Sequence, residues 1–225
     1  MPNQIKKTND GSDSLVSKQF GELYHSHHGS FQEAKHIFIN NGIAKTQQNE
    51  INIFEMGFGT GLNAILTYYY AKQKGIKVNY YTIEAYPVLL QTAKELNYNN
   101  FIKEETYSEV FAKMHSVAWN SQQEISESFK LYKIKNEIEK IKFESIIKTK
   151  IDTVYYDAFA PTAQSNLWET PVLQKMYNLL KQNGFLITYC AKGSFKRTLK
   201  TIGFKVNGLP GPIGKREITQ AVKGL

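Results

Sequence analysis

The chain has a single cysteine, Cys190, and only two arginines, Arg197 and Arg216, in 225 residues. One cysteine excludes an intramolecular disulfide and fits a reducing, cytoplasmic compartment. It lies in an apolar segment, so it reads as core rather than nucleophile. No apolar stretch approaches the ~20 residues that cross a bilayer, so no membrane association is expected. The polar start, Met1 to Asp13, lacks the apolar centre of a secretory signal and is expected to be loosely ordered. His25, His27, His28, His36 and His115 form no spaced Cys/His cluster, so no metal site is expected. The His25–His28 run reads as a surface loop. There is no G-x-S-x-G element, which argues against a hydrolase. There is also no internal repeat, and one domain is the default at this length.

Positive charge is plentiful but comes almost wholly from lysine. The formal net charge of +8 points to a polyanionic partner such as nucleic acid. A chain rich in Lys, Asn and Ile also arises from nucleotide bias alone. The lysines at 130, 133, 135, 140, 142, 148 and 150 read equally well as solvated faces.

The densest signal is Ile53-Phe54-Glu55-Met56-Gly57-Phe58-Gly59-Thr60-Gly61-Leu62-Asn63. An apolar run enters a turn with glycines at alternate positions, and a helical pattern follows. Without Cβ atoms in the way, such a turn lets backbone approach a ligand and aims helix N–H groups at it. A phosphate-binding P-loop needs a Gly-Lys pair, and no lysine follows Gly61. The dinucleotide fingerprint is G-x-G-x-x-G, whereas here the third glycine comes one residue early. A carboxylate at Glu55 repels pyrophosphate but suits the ammonium of a methionine moiety. The charge logic therefore favours S-adenosyl-L-methionine over NAD. The next strand ends in Glu84, placed to accept from both ribose hydroxyls.

A third acid stands in Asp157-Ala158-Phe159-Ala160-Pro161, at the end of the apolar run Ile151–Tyr156. Methyl transfer from a sulfonium is an in-line displacement, so an amine acceptor must present its lone pair. A carboxylate that holds the amine N–H groups does this, much like the Asp/Asn-Pro-Pro-Tyr turn of amino-methylating DNA enzymes. Because a nearby carboxylate also raises an amine's pKa, positioning is the expected role of Asp157 rather than strong base catalysis. The plain alternative is an Asp that caps a turn.

The elements alternate in an α/β rhythm. Expected strands are 51–56, 78–84, 129–134, 151–156, 185–190, 204–208 and 217–221. Helices are expected over 33–40, 62–73, 87–97, 170–184 and 194–202, the fourth opened by Thr170 and Pro171 and closed by Gly184. The last two strands are too close for a helical crossover and should pair antiparallel. The expected fold is a mostly parallel, seven-stranded, Rossmann-like sheet with helices on both faces, the arrangement of class I methyltransferases. Residues 1–18 are read as a polar N-terminal segment, 19–225 as the domain, and about 98–128 as a cap or insertion.

Several segments together resemble the methyltransferase module of the bacterial MnmC-type family, in its stand-alone (MnmD) form. They are Phe20-Gly21-Glu22-Leu23-Tyr24-His25-Ser26, the glycine loop, Ile83-Glu84-Ala85-Tyr86-Pro87, Tyr156-Asp157-Ala158-Phe159-Ala160-Pro161 and Gly214-Lys215-Arg216-Glu217. The resemblance implies methylation of the aminomethyl nitrogen of 5-aminomethyl-2-thiouridine at wobble position 34 of tRNA, with S-adenosyl-L-methionine as donor. It implies Glu55, Gly57, Gly59, Gly61, Asn63 and Glu84 as cofactor residues and Asp157 as the catalytic one. Glu137 is carried over to the adenine site, where the family usually has Asp. Bifunctional relatives add an FAD-dependent oxidase; this chain ends at Leu225, so the oxidase step is expected to be absent or supplied by a separate FAD oxidase. An anticodon loop is held by stacking and phosphate contacts. Phe159, Trp168, Lys192, Lys196, Arg197, Lys215 and Arg216 are the candidates, with Lys215-Arg216 on a flexible loop and Trp168 alternatively a packing residue. The other readings are an N-methyltransferase or aminopropyltransferase acting on a small-molecule amine, and a cofactor-binding module without catalysis.

Overall fold

A computed structural model describes residues 4–224. Its centre is an eight-stranded sheet in the order β5-β6-β4-β3-β7-β8-β10-β9. The strands are β3 (Glu50–Met56), β4 (Lys77–Glu84), β5 (Gln122–Ser126), β6 (Phe129–Lys135), β7 (Ile151–Tyr156), β8 (Leu180–Thr188), β9 (Phe204–Pro210) and β10 (Glu217–Lys223). β6, β4, β3, β7 and β8 run parallel. β10 pairs antiparallel with both β8 and β9, as the short connection between the last two strands requires. β3 and β7 read as unbroken apolar runs because parallel strands are covered on both faces. Alternate residues feed two cores. Ile51 and Ile53 pack with α2 (Leu62–Lys74) and α4 (Tyr107–Ser116), while Phe54 and Met56 pack with α5 (Thr170–Leu179) and α6 (Gly193–Ile202).

The structure departs from the sequence reading in several places. The N-terminus is not loose: β1 (Gln4–Lys7) and β2 (Asp13–Val16) form an antiparallel hairpin. Residues 1–3, and residue 225, fall outside the described part. The hairpin lacks apolar alternation, so periodicity gave no sign of it. Leu15 anchors it in the core with Ile5 packed alongside, and polar contacts add to this. Asp13 N–H donates to Asn97 Oδ1 (2.8 Å), and Asn97 N–H donates back to Asp13 Oδ2 (3.1 Å). Asp10, in its turn, accepts from the Gln32 N–H at the start of α1 (Ser30–Ala34), which continues as a π turn over Lys35–Asn40.

The 98–128 stretch, read as a cap or insertion beside the sheet, is built into it. It supplies α4 and then β5, which extends the sheet along β6 and makes eight strands of the expected seven. The helix expected from Pro87 is only α3 (Leu90–Lys94) and a 3-10 turn over Asn97–Asn100. Gly184 does not close a helix. α5 stops at Leu179, and Gly184 lies within β8, where a Cβ would sit 2.9 Å from Lys181 O and 3.0 Å from Asp152 O.

Candidate active site

β3, β4 and β7 deliver Glu55, Glu84 and Asp157 to the same edge of the sheet. After Met56 the chain turns over three glycines into α2. At Gly61, φ is 77° and a Cβ would lie 2.8 Å from His115 Nε2. At Gly59, φ is 51° and a Cβ would lie 3.2 Å from the Tyr24 ring. Both conformation and space demand glycine there. The Glu84 carboxylate ties the next strand to this loop. Its Oε2 accepts from Gly59 N–H (3.0 Å) and its Oε1 from Tyr86 N–H (2.9 Å). Burial raises the Glu84 pKa, and those backbone donors oppose the rise.

A cavity opens above this edge. Gly57, Gly59, Glu84, Tyr86, Glu137 and Ile138 line it together with Phe20, Tyr24, His25, Asn63, Asp157 and Phe159. Asn63 Nδ2 donates to Asp157 Oδ2 (2.8 Å). Burial pushes the Asp157 carboxyl up to about 7; the Asn63 hydrogen bond pulls it down, Glu33 pushes it further up, and Lys215 pulls it down. The site carboxyl thus changes charge near neutral pH. Phe20, Tyr24 and Phe159 form an aromatic wall, with Phe159 at 4.9 Å from each of the other two rings.

The residues expected from sequence separate into three groups. Gly57, Gly59, Asn63, Glu84, Glu137, Asp157 and Phe159 all line this one cavity. Gly61 shapes the loop from just outside it. Glu137 is exposed and paired with Lys140 (2.8 Å).

Glu55 lies elsewhere. It is fully buried on the α2 side of β3 and is not among the lining residues, because an odd position of this strand faces α2. Trp168 is a packing residue: it is buried against Tyr156 and Phe195, and its Nε1 donates to Phe159 O (2.8 Å). Lys215 is not on a free loop. Its Nζ pairs with Glu33 Oε2 (2.6 Å) and lies 4.2 Å from the centre of the Tyr189 ring. The loop itself is pinned where Gln32 Nε2 donates to Ile213 O (3.4 Å). Lys196 is likewise held, by Glu217 (2.6 Å). Lys192, Arg197 and Arg216 are exposed.

Sequence reading missed three contributors. Phe20 and Tyr24 entered only through the Phe20–Ser26 resemblance, with no site role assigned, and His25 was placed on the surface. In the structure His25 lines the cavity, and its Nδ1 lies 3.1 Å from Ser14 Oγ. Burial lowers its pKa to about 4, Asp10 opposes this and Lys215 adds to it, so the ring is neutral at pH 7. Only the β1–β2 hairpin brings Ser14 to it, and that hairpin left no trace in the periodicity.

The doubly wound sheet, the glycine turn after β3 and the acid at the tip of β4 together define the class I S-adenosylmethionine-dependent methyltransferase fold. The sequence profile of the S-adenosyl-L-methionine-dependent methyltransferase family matches residues 97–224, and the chain belongs to that family. The bifunctional protein MnmC of Leptospira interrogans, named for tRNA 5-methylaminomethyl-2-thiouridine biosynthesis, is 26% identical over 221 residues, covering 90% of this chain and 33% of the relative. Its namesake from Acinetobacter baylyi is 27% identical over 238 residues, covering 95% and 36%. The chain thus spans about a third of the length of these curated relatives. The crystal structure of MnmC2 from Aquifex aeolicus superposes with a TM-score of 0.79 at 23% identity, over 97% of this chain and 69% of that one, and shows the same fold.

Proposed function

We propose that this protein methylates the exocyclic aminomethyl nitrogen of 5-aminomethyl-2-thiouridine at the wobble position of tRNA, giving 5-methylaminomethyl-2-thiouridine. The observation that carries the reading is Asp157. A carboxyl poised near neutrality lines the same cavity as the glycine loop and the Phe20, Tyr24 and Phe159 rings. The names and coverage of the MnmC relatives supply the substrate.

The cavity fits the cofactor. A Cβ at Gly59, a lining residue, would crowd the Tyr24 ring (3.2 Å), and each Glu84 oxygen keeps a lone pair for a ribose hydroxyl after accepting its backbone N–H. Tyr86 and Ile138 offer apolar walls for adenine, with Glu137 at the edge. When bound, S-adenosylmethionine supplies an electrophilic methyl group on a sulfonium. Asp157 accepts N–H hydrogen bonds from the amine and so turns its lone pair into the cavity. The amine proton leaves to Asp157 or to water. Phe20, Tyr24 and Phe159 stack on the flipped-out base and exclude water. His25, being neutral, adds no charge that would repel the amine. Lys192, Arg197 and Arg216, exposed beyond the cavity, are the phosphate contacts we assign to the anticodon loop.

The test is transfer of labelled methyl to total tRNA from a strain lacking this final methyl, followed by identification of the product nucleoside. Label in 5-methylaminomethyl-2-thiouridine is expected. Asp157→Asn should keep affinity for the cofactor and lose at least ~10-fold in rate, about 1.4 kcal/mol of transition-state stabilisation. Labelling of small free amines with unlabelled tRNA would refute the substrate assignment.

A further inference from the structure

Below the cavity floor lies a polar cluster that the transfer reaction does not touch. Both Glu55 carboxyl oxygens are buried without a hydrogen-bond partner, and so are Asn63 Oδ1, Tyr80 Oη and Thr82 Oγ1. These groups come from three elements: β3, the start of α2, and β4. Thr82, Asn63 and Tyr80 face the Glu55 carboxyl and favour its charged form without reaching hydrogen-bond geometry, while Asp157 opposes that form. Asn63 is the shared neighbour. Its amide reaches up to Asp157 Oδ2 (2.8 Å) and its side chain also faces Glu55.

We propose that Glu55 is a positioning residue, which acts from beneath the floor through the Asn63 amide on Asp157 and makes no contact with the cofactor. The assignment rests on the role proposed above for Asp157. It departs from the charge logic of the E-x-G-x-G-x-G motif, which puts a carboxylate against the methionine ammonium. Three observations carry it: Glu55 does not line the cavity, its oxygens are orphaned together with those of its neighbours, and Asn63, which faces Glu55, donates to Asp157. An ionised Glu55 would add a second anion beside Asp157 with no cation to balance it. Burial, the largest influence, holds its pKa well above the usual carboxylate range. As a neutral acid it offers an O–H beside Asn63 Oδ1, a buried acceptor with no proton of its own. That proton fixes which end of the Asn63 amide faces up, so that N–H rather than C=O meets Asp157.

The groups facing Asp157 are Glu33 from α1, Lys215 from the loop before β10, Tyr189 after β8, Glu55 from β3 and Tyr80 from β4. Among changes at Glu55, one that disturbs Asn63 should raise the Asp157 pKa, because the Asn63 hydrogen bond lowers it.

The experiment compares Glu55→Gln and Glu55→Leu with wild type in three readouts: calorimetric affinity for S-adenosylhomocysteine, the pH profile of kcat, and the infrared band of protonated carboxyls in cofactor-free protein at pH 8.5. Gln is neutral, isosteric and a donor. It should leave affinity and kcat within ~3-fold and the acid limb in place, and it should abolish one protonated-carboxyl band. Leu should keep affinity within ~3-fold, lower kcat at least ~10-fold and move the acid limb to higher pH. A tenfold loss of affinity in Glu55→Gln would show contact with the cofactor and overturn the proposal. So would an acid limb moving to lower pH in either variant, which marks Glu55 as an anion. Should Glu55→Leu fail to fold, the infrared band and affinity of Glu55→Gln decide alone. Failure of the Asp157 reading shows separately, as an unchanged rate in Asp157→Asn.

Discussion

A carboxyl that titrates near pH 7 makes the rate depend on its neighbours at the very pH where the protein works. For Asp157 those neighbours include an ion pair: Glu33 pushes its pKa up and Lys215 pulls it down. Replacing Lys215 by Met removes the pull and frees Glu33 to push, so both changes raise the Asp157 pKa. In the proposed mechanism the carboxylate is the form that holds the amine, so activity should rise with pH through a limb near 7 in wild type and at higher pH in Lys215→Met. A several-fold loss at pH 7 that recovers by about pH 8.5 is the expected result, read from kcat against pH. A loss of equal size at every pH would assign Lys215 to tRNA contact instead. Glu33→Gln alone should move the limb the other way.

At the scale of elements, β6 carries an unusual device under the glycine loop. Lys133 is buried, donates to His115 O (2.7 Å), and lies 4.6 Å from the Trp119 ring centre and 5.5 Å from that of Phe58. Burial lowers its pKa to about 8. Between that value and the unfolded value of about 10.4, the unfolded chain holds the proton and the folded one does not, so this group makes stability rise with pH. Above about pH 10 the buried tyrosines reverse the trend, because they ionise only on unfolding. Urea melts from pH 7.5 to 9.5 should therefore show a positive slope from this residue that Lys133→Met removes. An identical slope in the variant would mean that Lys133 titrates normally.

The elements that sequence showed best were those buried on both faces or punctuated by special residues. β3 and β7 are apolar runs, the loop after β3 is marked by its glycines, and the 204–221 hairpin by its short connection. What escaped notice was held partly by polar contacts or lay at an edge. β5, Gln-Gln-Glu-Ile-Ser, has one buried residue, as suits an edge strand, and so shows no alternation. Within the site, the residues borne by strand ends were legible because parallel sheets gather strand tips at one edge. The directions of side chains were not. Glu55 and Asp157 both end strands, yet one side chain turns under the floor and the other lines the cavity, a difference set by strand register against α2.

For the molecule as a whole, the charge of +8 is spread over lysines, several of them already paired. Lys192, Arg197 and Arg216 are exposed and make no ion pair among the described residues. If these meet phosphates, log affinity for tRNA should fall linearly with log salt, by roughly 0.7 per contact on single-stranded RNA, and Arg216→Ala should flatten the slope by about one contact. An unchanged slope would take Arg216 out of the interface. No helix among the described residues is long and apolar enough to cross a membrane.

The account turns on where the donor sits. A crystal structure with S-adenosylhomocysteine bound tests this most directly. The predicted result is adenosine against Glu84, Tyr86 and Ile138, with the sulfur pointing toward Asp157 and Glu55 untouched below. Density for the ligand outside this cavity, or a sulfur turned away from Asp157, would contradict it.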